Sequence, residues 1–236
     1  MNILTLGKRI AARFGVHADR LSRQPETQFL GLVHRPIDLI VDVGANTGQF
    51  ARDIRARFPR AHIVSFEPNP VPYAELSAWA RADGNATAIN CALGEEEAML
   101  DMHVHTDHSP SSSLLPTTTT NVELFPQTAE QHVQQVRVRR LDDVLAEIGH
   151  PAGPDTFLKL DVQGFEEMVL RGAPLTLATA AALMTEVPID QLYQGQTDFF
   201  TLYQTVTKAG LRYGGNMSQF LAPDGHVVFL DAFFVR

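Results

Sequence analysis

The stretch from Asp38 to Phe50, D-L-I-V-D-V-G-A-N-T-G-Q-F, constrains this chain more than any other. Leu39, Ile40, Val41 and Val43 make a short apolar run of the kind that is buried on both faces in a parallel sheet. The run stops at Gly44. Asn46 or Thr47 is then placed to cap a helix, with Gln49 three residues after Asn46 to close a capping box. Phe50, Ile54 and Phe58 recur at helical spacing, which predicts a helix over 47–58. Strand, glycine turn and helix in direct succession leave free backbone N–H groups facing the turn. In an open α/β sheet that is where a nucleotide-like cofactor sits.

The glycine spacing narrows the cofactor. A dinucleotide fingerprint wants G-x-G-x-x-G, and a P-loop ends in Gly-Lys-Ser/Thr. Here the turn reads Gly44-Ala45-Asn46-Thr47-Gly48, with a bulky Asn where a phosphate would need bare backbone. A ligand without phosphate, such as S-adenosylmethionine, fits better. His62 to Phe66 reads as a second strand ending at Glu67, a carboxylate about 20 residues past the turn, where a ribose diol is held.

The residues D-V-G-A-N-T-G-Q-F (42–50), F-E-P-N-P (66–70), N-C-A-L-G (90–94), the serines 111–113 before Leu114, R-L-D-D (140–143) and L-K-L-D-V-Q-G-F-E (158–166) occur in one order along most of the chain. Taken together, this set resembles the FkbM-type class I methyltransferases. The resemblance implies a doubly wound, Rossmann-like α/β fold with a seven-stranded sheet, mostly parallel with an antiparallel C-terminal strand. It implies S-adenosylmethionine held by Asp42, Gly44, Ala45, Asn46, Gly48, Phe50, Glu67, Pro68, Asn69, Ala92, Leu93, Ser113, Asp161 and Gln163, with Asn90 at the adenine edge. Family members usually carry Glu where this chain has Gln163. A glutamine cannot act as a base, though it donates and accepts hydrogen bonds.

Composition sets outer limits. A length of 236 residues suits one α/β domain. A net charge of −8 argues against a nucleic-acid partner. The lone Cys91 leaves no internal disulfide, and no apolar run approaches the ~18 residues that span a bilayer, so cytoplasm is the expected location. Residues 1–36 differ, with Lys8, Arg9, Arg13, Arg20, Arg23 and Arg35 against Asp19 and Glu26. Leu4, Leu6, Ile10 and Phe14 suggest an amphipathic helix. It reads as a cap packed on the 37–236 domain or within a homodimer, with a transit peptide or a membrane-lying helix as alternatives.

Beyond Glu67 the chain alternates strands and helices, as a doubly wound sheet requires. A helix is expected over 70–83, strands at 86–90, 156–160 and 181–184, and a helix from Phe165 to Gly172. A short helix over 141–148 is expected with Asp142 or Asp143 as its cap, and another begins at Thr197 and runs through Lys208. Leu211–Tyr213, Val227–Leu230 and Ala232–Val235 read as closing strands. Residues 95–140 break the rhythm as a strand–loop insertion, a binding loop over the site. His103, His105 and His108 there could chelate a metal, or line the solvated face of an edge strand.

Asp42 with Gly44, Glu67, Asn90, Asp161 and Glu186 each fall at or next to a strand tip, and in a parallel sheet those tips share one rim. A hydroxyl is a weak acid, so O-methylation wants a general base or a metal. Asp161 and Glu186 are the candidate catalytic residues, able to share that task or to hold Mg²⁺ or another divalent metal together. Asp190, Gln191, Tyr193 and Gln194 suit sugar hydroxyls. The expected activity is methylation of a hydroxyl on a sugar, glycan or polyketide-like small molecule. Amine or peptide N-methylation, and cofactor binding without catalysis, are the alternatives.

Overall fold

The computed structural model describes residues 29–236, so the amphipathic segment expected before them lies outside the described residues. Ten strands can be followed: β1 (Leu39–Val43), β2 (His62–Phe66), β3 (Ala86–Ile89), β4 (Ala92–Leu93), β5 (Ala98–His105), β6 (Gln131–Arg139), β7 (Thr156–Leu160), β8 (Ala182–Pro188), β9 (Arg212–Leu221) and β10 (Val227–Val235). Seven of them form one sheet in the order β3-β2-β1-β7-β8-β10-β9, and only β10 runs against the others. The remaining three form a small sheet, β4-β6-β5.

Every residue of β1 and of β7 is buried, which explains why both read as unbroken apolar runs. Alternate residues serve opposite layers. Leu39, Val41 and Val43 point with Leu158 and Leu160 toward one core, which α4 (Leu141–Glu147), α5 (Glu166–Arg171), α6 (Pro174–Thr179) and α7 (Phe199–Lys208) cover. Ile40 and Phe157 point to the other, covered by α1 (Gln49–Arg55) through Ala51 and Ile54, with Trp79 of α2 (Pro70–Asp83) packed against it. Asp42 falls on this second face, fully buried. A short helix, α3 (Thr119–Leu124), lies between β5 and β6.

The order of the strands runs outward in both directions from the β1–β7 pair. That is the topological switch point, where an open α/β sheet has its crevice beyond the carboxyl ends of the strands. The crevice is tight. A Cβ on Gly44 would lie 1.9 Å from the carbonyl oxygen of Asp161, and Gly44 has φ +74°. Glycine is therefore required there by packing as well as by conformation.

Several local expectations change. Helix α1 starts at Gln49, because Asn46 (φ +48°) and Gly48 (φ +88°) both take left-handed backbone and the chain is not yet helical. No capping box forms; Asn46 Nδ2 instead donates to Ser109 Oγ at 3.0 Å. Asp142 does not cap its own helix. It accepts from the backbone N–H groups of Leu175 and Thr176, capping α6, a helix the sequence reading missed. Asp198, not Thr197, caps α7 by accepting from Thr201 N–H. The two closing strands expected at 227–230 and 232–235 are one, β10, which runs through Asp231.

Candidate active site

The crevice opens into a cavity of about 320 Å³, the size of a small-ligand site. The strand tips make its floor, and the segment after β5 makes one wall. Gly44, Ala45 and Asn46 from the first turn, with Gln49 and Phe50 of α1, lie on one side. Glu67, Pro68, Cys91, Ala92 and Leu93 bound the end above β2 and β3. Lys159, Asp161, Met184 and Asp231 bound the end above β7, β8 and β10. Ser109, Ser112, Ser113 and Leu114 close the wall.

Glu67 is 5% exposed, and its carboxylate accepts two backbone N–H groups, Asn46 at 2.8 Å and Asn69 at 2.7 Å. Burial pushes its carboxyl up to about 7, against the pull of those two donors. Asn69 also caps α2 by accepting from Val71 N–H, and it lies behind the cavity wall rather than on it. Asn90 likewise stands off the cavity: its amide donates to the carbonyls of Glu67 (2.8 Å) and Pro68 (3.0 Å), bracing the turn that presents Glu67. Gly48 packs against Leu76, away from the cavity.

Asp42 sits beneath the floor. Its oxygens make no well-formed hydrogen bond, and their compensation is ionic, with Lys159 Nζ 3.2 Å from Oδ1. Burial raises the Asp42 carboxyl, and Lys159 only partly offsets this. Burial pushes the Lys159 ammonium down, but Asp42 and Asp161 outweigh it and the net shift is upward. The ammonium also donates to the carbonyls of Val43 (3.3 Å) and Gly44 (3.1 Å) and lies 3.6 Å from Asp161. Lys159 is thus the buried partner of Asp42.

Asp161 and Glu186 are brought together unequally. The Asp161 side chain is 41% exposed and faces the cavity, whereas Glu186 is buried behind it and off the wall. Gln163 joins them. Its Nε2 donates to Asp161 Oδ1 at 2.7 Å and lies 3.4 Å from both Glu186 oxygens. Its Oε1 accepts from the Tyr193 hydroxyl at 2.7 Å, and its main-chain carbonyl accepts from Ser113 Oγ at 2.8 Å. Burial, then the nearby Asp161, Glu166 and Asp231, raise the Glu186 carboxyl well above the carboxylate range. This arrangement does not fit a divalent ion between Asp161 and Glu186. An N–H donor, not an oxygen ligand, faces both carboxyl groups. Among the described residues no three His, Cys, Asp or Glu side chains are grouped to hold a metal ion. His105 is 1% exposed, so it does not lie on a solvated strand face, while His103 and His108 are half-buried.

Two residues of this site were not found by sequence reasoning in their present roles. Tyr193, expected among acceptor-facing polar residues, is 1% exposed and bonded to Gln163. Asp231 was passed over, although a lone acid inside V-V-F-L-D-A-F-F-V was its signal. It pairs across the sheet with Glu186 and is bonded by Ser218 Oγ.

Sheet order, switch-point cavity and a strand-tip acid on each side define a nucleoside-cofactor domain of the Rossmann-like class. The chain belongs to the FkbM methyltransferase family: the family described as Methyltransferase FkbM domain matches residues 42–213. It is 27% identical over 193 residues to the 2-O-methyltransferase NoeI of Sinorhizobium fredii, covering 77% of this chain and 76% of that protein. It is 34% identical over 164 residues to the 31-O-demethyl-FK506 methyltransferase FkbM of Streptomyces tacrolimicus, covering 60% of this chain and 62% of that one. A protein of Beauveria bassiana called Methyltransferase 1 is 31% identical over 143 residues, 56% of this chain and 57% of its own length. With the last two the match therefore spans only about three fifths of the relative. Among solved structures, fibrillarin of Aeropyrum pernix with bound S-adenosyl-L-methionine aligns at TM-score 0.48 and 13% identity over 86% of this chain and 68% of that one, too distant to bear on the site. No described helix is long and apolar enough to cross a membrane.

Proposed function

We propose that this chain transfers a methyl group from S-adenosylmethionine to a hydroxyl oxygen of an uncharged acceptor, a sugar, glycan or polyketide-like alcohol, with Asp161 as the base. The observation that carries the reading is the position of Asp161. It is a carboxylate at the switch point, open to the cavity and aimed by donors from behind. The activities by which NoeI and FkbM are named, both O-methylations, favour oxygen over nitrogen as the acceptor atom.

The residues present fit the cofactor. Glu67 would accept the ribose diol, Pro68 and the Cys91–Leu93 segment would flank the adenine, and the Gly44–Asn46 turn and Phe50 would border the amino-acid portion. Bound S-adenosylmethionine supplies an electrophilic methyl group. The chain must then hold the acceptor oxygen in line and take its proton. Asp161 takes that proton while Lys159 and Gln163 fix its carboxylate. Glu186, buried, backs Gln163 rather than touching the acceptor. Asp42 acts through Lys159, Asn90 through Glu67, and Ser113 holds the wall. The transfer needs no divalent ion.

Calorimetry with S-adenosylmethionine, S-adenosylhomocysteine and NAD tests the cofactor; only the first two should bind. Release of S-adenosylhomocysteine with a panel of methyl glycosides and aliphatic alcohols, with and without EDTA, tests the reaction. Undiminished turnover by Asp161→Asn would end the assignment of the base.

A further inference from the structure

Gln163 has left-handed backbone at φ +56°, a region a glutamine enters only at a cost in free energy. Its side chain is off the cavity wall and takes no part in proton transfer, yet all its polar groups are used. Nε2 reaches Asp161 Oδ1 at 2.7 Å and both Glu186 oxygens at 3.4 Å, while Oε1 receives the Tyr193 hydroxyl at 2.7 Å. The amide orientation follows from its partners: reversed, Oε1 would oppose Asp161 oxygen against oxygen. The charged and titratable groups around it are Lys159 on β7, Asp161 just after β7, Glu166 on α5, Glu186 on β8, Asp231 on β10 and Tyr193 in the loop after β8. Lys159 is already engaged by Asp42.

We propose that Gln163 is a positioning residue whose amide nitrogen occupies the place a bridging cation would take between Asp161 and Glu186. A neutral clamp, in place of a metal, thus holds Asp161 toward the acceptor. The inference rests on the reading of Asp161 as the base. A small hard cation gathers carboxylate oxygens at about 2.0–2.6 Å, and its charge orients them. A primary amide does the same orienting work with two N–H donors and adds no charge. The clamp also sets the cavity wall. The Tyr193 hydroxyl lies 2.9 Å from the Ser111 carbonyl, and Ser113 Oγ donates to the Gln163 carbonyl at 2.8 Å. The base and the wall over it are therefore fixed by one residue.

The test replaces the donor by an acceptor of the same shape. In Gln163→Glu a third carboxyl group meets Asp161 and Glu186, and the place of the amide becomes a ligand set for a divalent ion. Mn²⁺ alone is titrated calorimetrically into the full chain. Wild type should show no site below about 1 mM, and Q163E should bind one ion with Kd about 10⁻⁴ M, lost again when Asp161→Asn is added. In the S-adenosylhomocysteine-release assay Q163E should lose about 100-fold in kcat in EDTA and regain about tenfold with Mn²⁺. Wild type should be indifferent to both, and S-adenosylmethionine Kd should stay within about threefold. Tyr193→Phe, which leaves the acids untouched, should lower kcat about tenfold with the same cofactor Kd and keeps the test open if Q163E fails to fold. Equal Mn²⁺ isotherms for wild type and Q163E, or wild-type turnover by Q163E in EDTA, would overturn the clamp. If wild type turns over no acceptor in the panel, the reading of Asp161 falls, while the Mn²⁺ titration still decides what Gln163 replaces.

Discussion

Replacing Lys159 by Met probes the charge balance under the cavity floor. The Lys159 side chain is 7% exposed and the Asp42 side chain 0%, and their ion pair is 3.2 Å long, so solvent screening offers neither group an alternative. Removing one partner of a buried pair costs about 3–5 kcal/mol, because the other is left as an uncompensated charge. For a domain of this size each kcal/mol lowers Tm by about 2–4 °C, which places K159M about 6–20 °C below wild type. The deficit has a definite pH dependence. Burial already raises Asp42 and Lys159 is the first influence opposing it, so K159M raises it further. A carboxyl raised in the folded state contributes stability that is present below the unfolded carboxylate range and is lost as pH rises through the folded value. K159M should therefore be nearer wild type at pH 5 than at pH 8. Asp42→Leu combined with K159M removes both charges and should recover most of the loss, since a buried pair replaced by apolar residues is often neutral. Urea unfolding of wild type, the two single variants and the double variant at both pH values provides the cycle. A K159M deficit below about 0.5 kcal/mol, or a double variant no more stable than K159M, would show that the pair does not hold the floor.

Asp161→Asn should lower kcat by about 10²–10⁴-fold with little change in S-adenosylmethionine Kd, read by S-adenosylhomocysteine release and calorimetry. Glu67, raised to about 7 by burial, makes the cofactor-free protein lose stability as pH rises through that value; urea midpoints from pH 5 to 8.5 should fall, and less steeply in Glu67→Gln. Glu166, buried and also raised to about 7, accounts for part of the slope that remains in that variant. Gly44→Ala should destabilise by about 3 kcal/mol or more, since its Cβ would lie 1.9 Å from the Asp161 carbonyl oxygen at a positive φ; a Tm within error of wild type would contradict the packing described.

What could be read from the residues was set by period and burial. Strands β2 and β7 and helix α2 fall where the runs of apolar residues placed them. The rim of strand-tip acids was legible for the same reason, because parallel strands ending together bring their next residues together. Capping was less legible, because it depends on who is near in space. Asp142 lies at the start of one helix and serves another, α6, 33 positions away at Leu175. The role of Gln163 was not legible either, because its partners Tyr193 and Glu186 come from 30 and 23 positions away. Asp231 was missed because a charge within an apolar run reads as a break, when here the strand carries it unbroken to the cavity. Asn90 was placed near the right turn, but its amide faces backbone carbonyls and not the ligand space, a distinction that depends on side-chain direction.

The wall and the floor of the cavity are packed in separate cores. Ala92, Met102, Val104, Val136 and Val138 form a small core of their own in the three-stranded sheet, distinct from the two cores that flank the main sheet. Mutations that reshape Ser109–Leu114 would draw on this satellite core and on the bonds that tie the wall to Asn46, Gln163 and Tyr193. A change in the wall would therefore be felt at the cofactor turn through Asn46 and at the base through Gln163, so the two halves of the cavity are coupled at these few bonds.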